Sequence, residues 1–143
     1  MIVVRDIVSK EELDIAFSIR KKVFVEEQKV LLSEEYDEFE DESIHILAYY
    51  QDSPVGTARM RKTDKGIKLE RFSVLRDYRK LGIGSALVKN LLTKCLNELE
   101  SNVYLYAQLS ALTFYQKHGF IAKGEIFLDA GIEHIEMELN KKA

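Results

Sequence analysis

Hydrophobic positions recur along the chain with two periods, and the switches between them mark its elements. Residues 2–8 (IVVRDIV) read as a short strand. Ser9 and Glu12 have the spacing of a capping box, which opens a helix with Leu13, Phe17, Arg20 and Phe24 along one face. Residues 26–42 break the period and read as a loop with a short helical piece. Residues 44–51 and 55–62 then form a hairpin around the turn Asp52-Ser53-Pro54, and Asp64-Lys65-Gly66 turns into a third strand over 67–75. Tight turns make these three strands antiparallel. The strongest helical stripe follows, with Ile83, Ala86, Leu87, Val88, Leu91, Leu92, Cys95, Leu96 and Leu99 on one side. Residues 103–108 are a strand, 112–118 a short helix ended by Gly119, and 121–128 and 132–139 two more strands. In the last one Ile135, Met137 and Leu139 alternate with His134, Glu136 and Glu138. The order predicts an α+β class, a sandwich-like sheet with helices on its faces.

Length and composition narrow the class. At 143 residues, 46% hydrophobic and 31% charged, the chain is sized for one domain spanning 1–143 and balanced like a soluble globule. No apolar run approaches the ~20 residues that cross a bilayer. The first residues lack the apolar core and small-residue cleavage site of a signal peptide, so the expected address is cytoplasmic, with no membrane partner. One cysteine excludes an internal disulfide and a cysteine zinc site, and three scattered histidines do not make a metal centre. The net charge of −3 argues against nucleic acid. Its distribution is uneven: residues 26–42 hold nine acids and one lysine, which leaves the remainder at net +5. That segment is either a solvated loop or an acidic wall that attracts cations.

Residues 68–87 (KLERFSVLRDYRKLGIGSAL) carry the chemistry. A strand runs into a loop with Arg76, Arg79 and Lys80, and Gly82-Ile83-Gly84 opens the long helix. The first N–H groups of a helix lack intrahelical partners, and its dipole adds positive charge there. With nearby cations this makes a site for a phosphate or pyrophosphate, unless the glycines serve only tight packing. A P-loop is excluded by the missing Gly-Lys-Ser/Thr. A Rossmann fingerprint is disfavoured because Leu87 occupies its third small position and the loop follows an antiparallel meander.

Arg79-Lys80-Leu81-Gly82-Ile83-Gly84 matches Q/R-x-x-G-x-G/A, the signature of the GNAT superfamily of N-acetyltransferases. Downstream, Ala111, Phe114, Tyr115, Gly119 and Phe120 match A-x-x-F-Y-x-x-x-G-F. Arg20 to Gln28, Asp37, Asp41, His45, Pro54 to Gly56, Arg59, Ala107-Gln108 and Phe127 to His134 resemble the YjcF-like and ElaA-like subfamily. The resemblance implies a mixed, mostly antiparallel sheet whose fourth and fifth strands splay apart around acetyl-CoA.

By that resemblance, backbone groups along Phe72, Ser73 and Val74 would pair with the pantetheine arm. The N–H groups of Leu81, Gly82, Ile83, Gly84 and Ser85 would hold the pyrophosphate, with Arg79 beside it and Arg76 and Lys80 within looser reach. Tyr115 is the candidate general acid for the departing thiolate, or else a core aromatic. Glu70 shares the spacing of its strand face with Phe72 and is either a water-relayed base or a structural partner of Arg59, Arg61 or Arg71. Glu27, Gln28 and His134 fall near the acceptor pocket of similar proteins, His134 being equally consistent with a solvent position. His45 and His118 read as structural, and Cys95 as core. The implied activity is acetyl transfer from acetyl-CoA to a primary amine of a small molecule or peptide, directly in a ternary complex. The alternative is a catalytically weak module that binds acyl-CoA. A homodimer is compatible with similar folds.

Overall fold

Residues 1–98 and 101–140 are described by the computed structural model of the chain. Seven strands form one sheet: β1 (Ile2–Asp6), β2 (Ile44–Tyr50), β3 (Ser53–Thr63), β4 (Gly66–Val74), β5 (Val103–Gln108), β6 (Phe120–Asp129) and β7 (Ile132–Leu139). Their spatial order is β1-β2-β3-β4-β5-β7-β6, antiparallel throughout except where β4 meets β5. Four helices, α1 (Lys10–Arg20), α2 (Leu32–Glu35), α3 (Ile83–Lys94) and α4 (Leu112–Lys117), complete the element order expected from periodicity.

The α3 face of the sheet holds the main core. Ile83, Leu87, Val88 and Leu91 are fully buried against Ile46, Val55, Leu69 and Leu105. A smaller cluster joins α1 to the other face through Ala16, Ile19 and Leu47. The buried stripe of α1 is therefore Ala16, Ile19 and Arg20, about one position round from the expected one, of which only Arg20 is buried. The small side chain of Ala16 admits close contact with the sheet, while Phe17 turns sideways onto Tyr36 and His45. The capping box forms as expected: Glu12 N–H donates to Ser9 Oγ, and the Glu12 carboxylate accepts from Val8 N–H and Ser9 Oγ.

Four local features depart from the sequence reading. The first helix continues into a π turn over Lys21–Glu27, where Gln28 N–H reaches back five residues to the Val23 carbonyl. The β2–β3 turn consists of Gln51 and Asp52, both at positive φ, a two-residue hairpin whose twist suits the strands better than the expected turn at 52–54. The α-helical part of α3 ends at Lys94 and tightens through Cys95–Glu98, so Leu96 emerges into solvent; Leu99 lies outside the described residues. The fourth feature is a bulge in β4. Pairing steps from Arg59↔Glu70 to Thr57↔Ser73, one residue more on β4 than on β3, with Arg71 at φ 58°.

That bulge shapes the site. β4 and β5 pair only at Ile67↔Val103, Lys68↔Tyr104 and Leu69↔Leu105. A bulge bends its strand and interrupts the ladder, and here the parallel pairing ends two residues upstream of it. Beyond Leu69 the two strands separate. The bulge also cancels the two-residue face rule: Phe72 packs with the α3-side core, while Glu70 joins Arg59 toward the acidic segment.

Candidate active site

A cavity of about 210 Å³ lies where β4 and β5 separate. Leu69, Glu70, Arg71 and Phe72 line it from β4, Leu105, Tyr106 and Gln108 from β5, Tyr115 from α4, and His134 from β7. Gln28 closes it from the residue after the π turn, and its Oε1 accepts a hydrogen bond from Gln108 Nε2 at 2.9 Å. Of the sequence-predicted residues, the wall thus collects Tyr115, Glu70, Phe72, Gln28 and His134. Glu27 is not among the lining residues.

Tyr115 sits where α4 meets the gap, its ring edge-on to Phe72 at 5.7 Å and to Phe114 at 5.0 Å. Burial pushes its hydroxyl well above the ordinary range, so it stays protonated at any physiological pH. Such a group donates a hydrogen bond readily and releases its proton reluctantly.

The glycine loop turns through two residues in the left-handed region. Lys80 and Gly82 adopt φ of 68° and 90°, and Gly82 caps α3. The first intrahelical bond runs from Ala86 N–H to the Gly82 carbonyl at 3.1 Å, so the N–H groups of Ile83, Gly84 and Ser85 precede the ladder. Gly84 has a second reason: a Cβ there would stand 3.3 Å from Phe114 Cζ. Its smallness lets α4 lie against α3, as the packing reading expects of a glycine there. Ser85 Oγ is held by His118 Nε2 at 3.0 Å.

Arg79 is engaged from two sides. Its Nε donates to the Val74 carbonyl at 2.9 Å, and its other nitrogens form a two-pronged pair with Glu27 at 2.7 Å each. The hydrogen bond from Arg79 holds the Glu27 carboxyl below its usual range. Glu27 therefore lies beside the glycine loop, near Leu75 and Arg76, and not on the wall of the β4–β5 cavity. The Val74 carbonyl, expected to face pantetheine, is occupied by Arg79. Ser73 is buried, its hydroxyl donating to the Arg71 carbonyl.

Glu70 is surrounded by cations. Arg59, Arg61 and Lys68 all pair with its carboxylate. Burial raises its pKa, but these three charges outweigh burial and leave it below the ordinary value. Of the two sequence readings, the ion pair is the one the geometry displays. It extends into a network: Arg59 also grips Asp37 and Glu40, Arg20 holds Glu35 and Glu40, and Arg71 reaches Asp37. Of the nine acids in the acidic segment, Glu35, Asp37 and Glu40 are thus paired within this network, and Gln28, Val30, Glu34 and Glu35 of the segment line the cavity. No local pattern announces partners so far apart in the chain.

His134 is 9% exposed, at the cavity wall rather than in solvent. Its ring stacks on Phe127, and Nδ1 lies 2.7 Å from the Ile132 carbonyl. His45 and His118 take the structural positions expected of them. Cys95 is buried under α3. Among the described residues no cluster of histidine, cysteine or acids could hold a metal, and no helix is long and apolar enough to cross a membrane.

A splayed parallel pair, a glycine-capped helix beside it and a tyrosine across the gap define an acyl-CoA N-acyltransferase fold. Residues 7–141 match the family model of the acetyltransferase (GNAT) domain, and the chain belongs to that family of acyltransferase enzymes. It is 43% identical over 130 residues to the uncharacterized N-acetyltransferase YjcF of Bacillus subtilis, covering 90% of this chain and 93% of that one. The crystal structure of Escherichia coli ElaA superposes with a TM-score of 0.86 at 29% identity, over 98% of this chain and 100% of the other. A GNAT family acetyltransferase from Elizabethkingia anophelis with acetyl-CoA bound shares the fold at a TM-score of 0.69 and 18% identity, over 96% and 94% of the two chains.

Proposed function

We propose that this enzyme transfers an acetyl group from acetyl-CoA to a primary amine of a small molecule or peptide, directly and in a ternary complex. The observation that carries the reading is the gap itself: β4 and β5 part after Leu69 and Leu105, and a cavity with Tyr115 on its wall fills the opening. Main chain of β4 beyond Leu69, left unpaired on the side from which β5 departs except where Arg79 takes the Val74 carbonyl, can hold the pantetheine arm as an added strand. The N–H groups of Ile83, Gly84 and Ser85 ahead of the α3 ladder suit a pyrophosphate, with Gly82 and Lys80 setting the turn and Leu81 at its exposed edge. α4 ties the two parts together, Phe114 lying over Gly84 and Tyr115 against Phe72.

The amine must lose a proton and the thiolate must gain one. With an ammonium reference pKa near ~10.4, only about one lysine-type amine in a thousand is free base at neutral pH. Tyr115 donates a hydrogen bond to the sulfur as the C–S bond breaks, where a thiol reference near ~8.5 means little driving force is needed. The chain's single cysteine lies in the core, which favours direct attack over an acetyl-cysteine intermediate. Glu27, held by Arg79, belongs to the donor side of the site. Gln28 and His134 form the acceptor side.

Calorimetric titration with acetyl-CoA, followed by thiol release across a panel of primary amines, tests the assignment. Binding and amine-dependent release with intersecting double-reciprocal lines are expected. Absence of acetyl-CoA binding would remove the assignment, and parallel lines would remove direct transfer.

A further inference from the structure

The cavity contains several carboxylates but few that could take a proton from an amine. Glu70 is neutralised by three cations; Glu35, although burial raises its carboxyl, has Oε1 taken by Arg20 and Oε2 facing Arg71, and is buried beneath them. Glu34 and Asp129 are exposed at the rim. The remaining group is an imidazole, and its hydrogen bonding distinguishes it from the other two in the chain. His45 Nε2 is committed to the Glu40 carbonyl at 2.8 Å, and His118 Nε2 to Ser85 Oγ at 3.0 Å. In His134 it is Nδ1 that is committed, to the Ile132 carbonyl. A carbonyl only accepts, so Nδ1 carries the proton and the lone pair of the neutral ring resides on Nε2. Among the described residues nothing donates to that nitrogen. The ring is fixed from its face by Phe127, centroids 5.9 Å apart and planes 27° from parallel. Its strand register sets it directly across from Gln108, which bridges to Gln28 on the cavity's other wall.

We infer that His134 is the general base of the acetyl transfer, with Nε2 the accepting atom and the Ile132 carbonyl and Phe127 its positioning partners. The amine nitrogen forms a bond to the thioester carbonyl carbon and gives its proton to Nε2. The C–S bond then breaks, and its electron pair leaves on sulfur. Sulfur takes one proton, through Tyr115 or from solvent, and the imidazolium returns one to solvent. One proton lost at nitrogen balances one gained at sulfur, and no further reactant is required.

The inference rests on the acetyl-transfer reading of the cavity, and its test separates the two. His134→Asn keeps an amide N–H where Nδ1–H stood and so preserves the bond to Ile132 while deleting Nε2. His134→Ala leaves room for free imidazole. Thiol release from acetyl-CoA is followed with a panel of primary amines, and with water alone as acceptor where none reacts. His134→Asn is expected to lose about 10²-fold or more in kcat with the acetyl-CoA Kd and melting temperature unchanged. Added imidazole is expected to raise the rate of His134→Ala saturably and to leave the wild type unaffected. An Asn variant as fast as wild type, or an Ala variant indifferent to imidazole, overturns the base while leaving acetyl transfer standing. A wild-type chain that neither binds acetyl-CoA nor releases thiol removes both.

Discussion

The two halves of strand β4, divided by Arg71, are built from opposite materials. Before the bulge, Lys68 and Glu70 contribute side chains to a buried set of charges that binds Arg59, Arg61 and the 35–40 segment together. After it, Ser73 and Val74 contribute main chain, and the chain runs on into the positive-φ residues Lys80 and Gly82. The first half resists change because each charge depends on several others. The second is expected to respond most to backbone shape, because main-chain groups are what it offers a ligand. A site made of main chain is therefore expected to fail through ligand affinity, and a site made of paired charges through stability.

The sharpest way to break this contrast is Arg59→Met. Arg59 is fully buried, and its loss takes one cationic partner from each of Asp37, Glu40 and Glu70. Urea unfolding should show a loss of about 3–5 kcal/mol. A variant of wild-type stability would mean that water replaces the guanidinium.

Tyr115→Phe comes next. It removes only a hydroxyl, so kcat for acetyl transfer should fall by about 10²-fold while calorimetry reads an unchanged acetyl-CoA affinity. An equal loss in both would make Tyr115 a packing residue.

Gly82→Val probes the main-chain half. A φ of 90° strains a β-branched residue by about 1–2 kcal/mol, although the space around its Cβ is open, with Ile2 Cδ1 at 3.8 Å. Acetyl-CoA affinity should fall more than the unfolding free energy does. The reverse order would reduce the loop to a helix start.

Acid titration separates the halves without mutation. Burial raises the Asp37 carboxyl, but hydrogen bonds from Arg59 and Phe39 N–H and the charge of Arg71 win and bring it to about 2. A depressed carboxylate stabilises the fold above its unfolded pKa of about 3.9, and that contribution is lost as pH falls through the folded value. Glu40 and Glu70 are shifted in the same direction. Unfolding midpoints should therefore stay level down to pH ~4 and drop toward pH ~2. A drop already complete by pH ~4 would mean that the network carries little of the stability.

Glu27→Gln has the smallest expected effect. The pair with Arg79 is partly exposed, worth roughly 0.2–1 kcal/mol. Freeing Arg79 for phosphate should tighten acetyl-CoA binding by roughly twofold at low salt, as read by titration. Weaker binding would show that Glu27 orients the guanidinium instead.

The same division explains what could be read in advance. Element order, the glycine-capped helix and the FY segment are local: periodicity and glycine placement announce them within a few residues. The bulge is not, because arginine at positive φ carries no sequence mark, and with it went the inference that Glu70 and Phe72 share a face. The charge network joins residues as many as 36 positions apart, so nothing local in the acidic segment shows that Glu35, Asp37 and Glu40 close upon Arg20, Arg59 and Arg71. Glu27, the last residue of the π turn, and Gln28, the residue after it, are neighbours in sequence yet meet different partners, Arg79 and Gln108.

That turn has a consequence for redesign. A π turn holds one residue more than an α turn, so it can absorb the loss of one residue between 21 and 27, whereas losing one residue within Lys10–Arg20 would rotate everything after it by about 100°. Gln28 would swing off Gln108 while β4, α3 and α4 kept their places. Substrate selectivity could then drift by small insertions and deletions in one helix, with the donor machinery inherited intact.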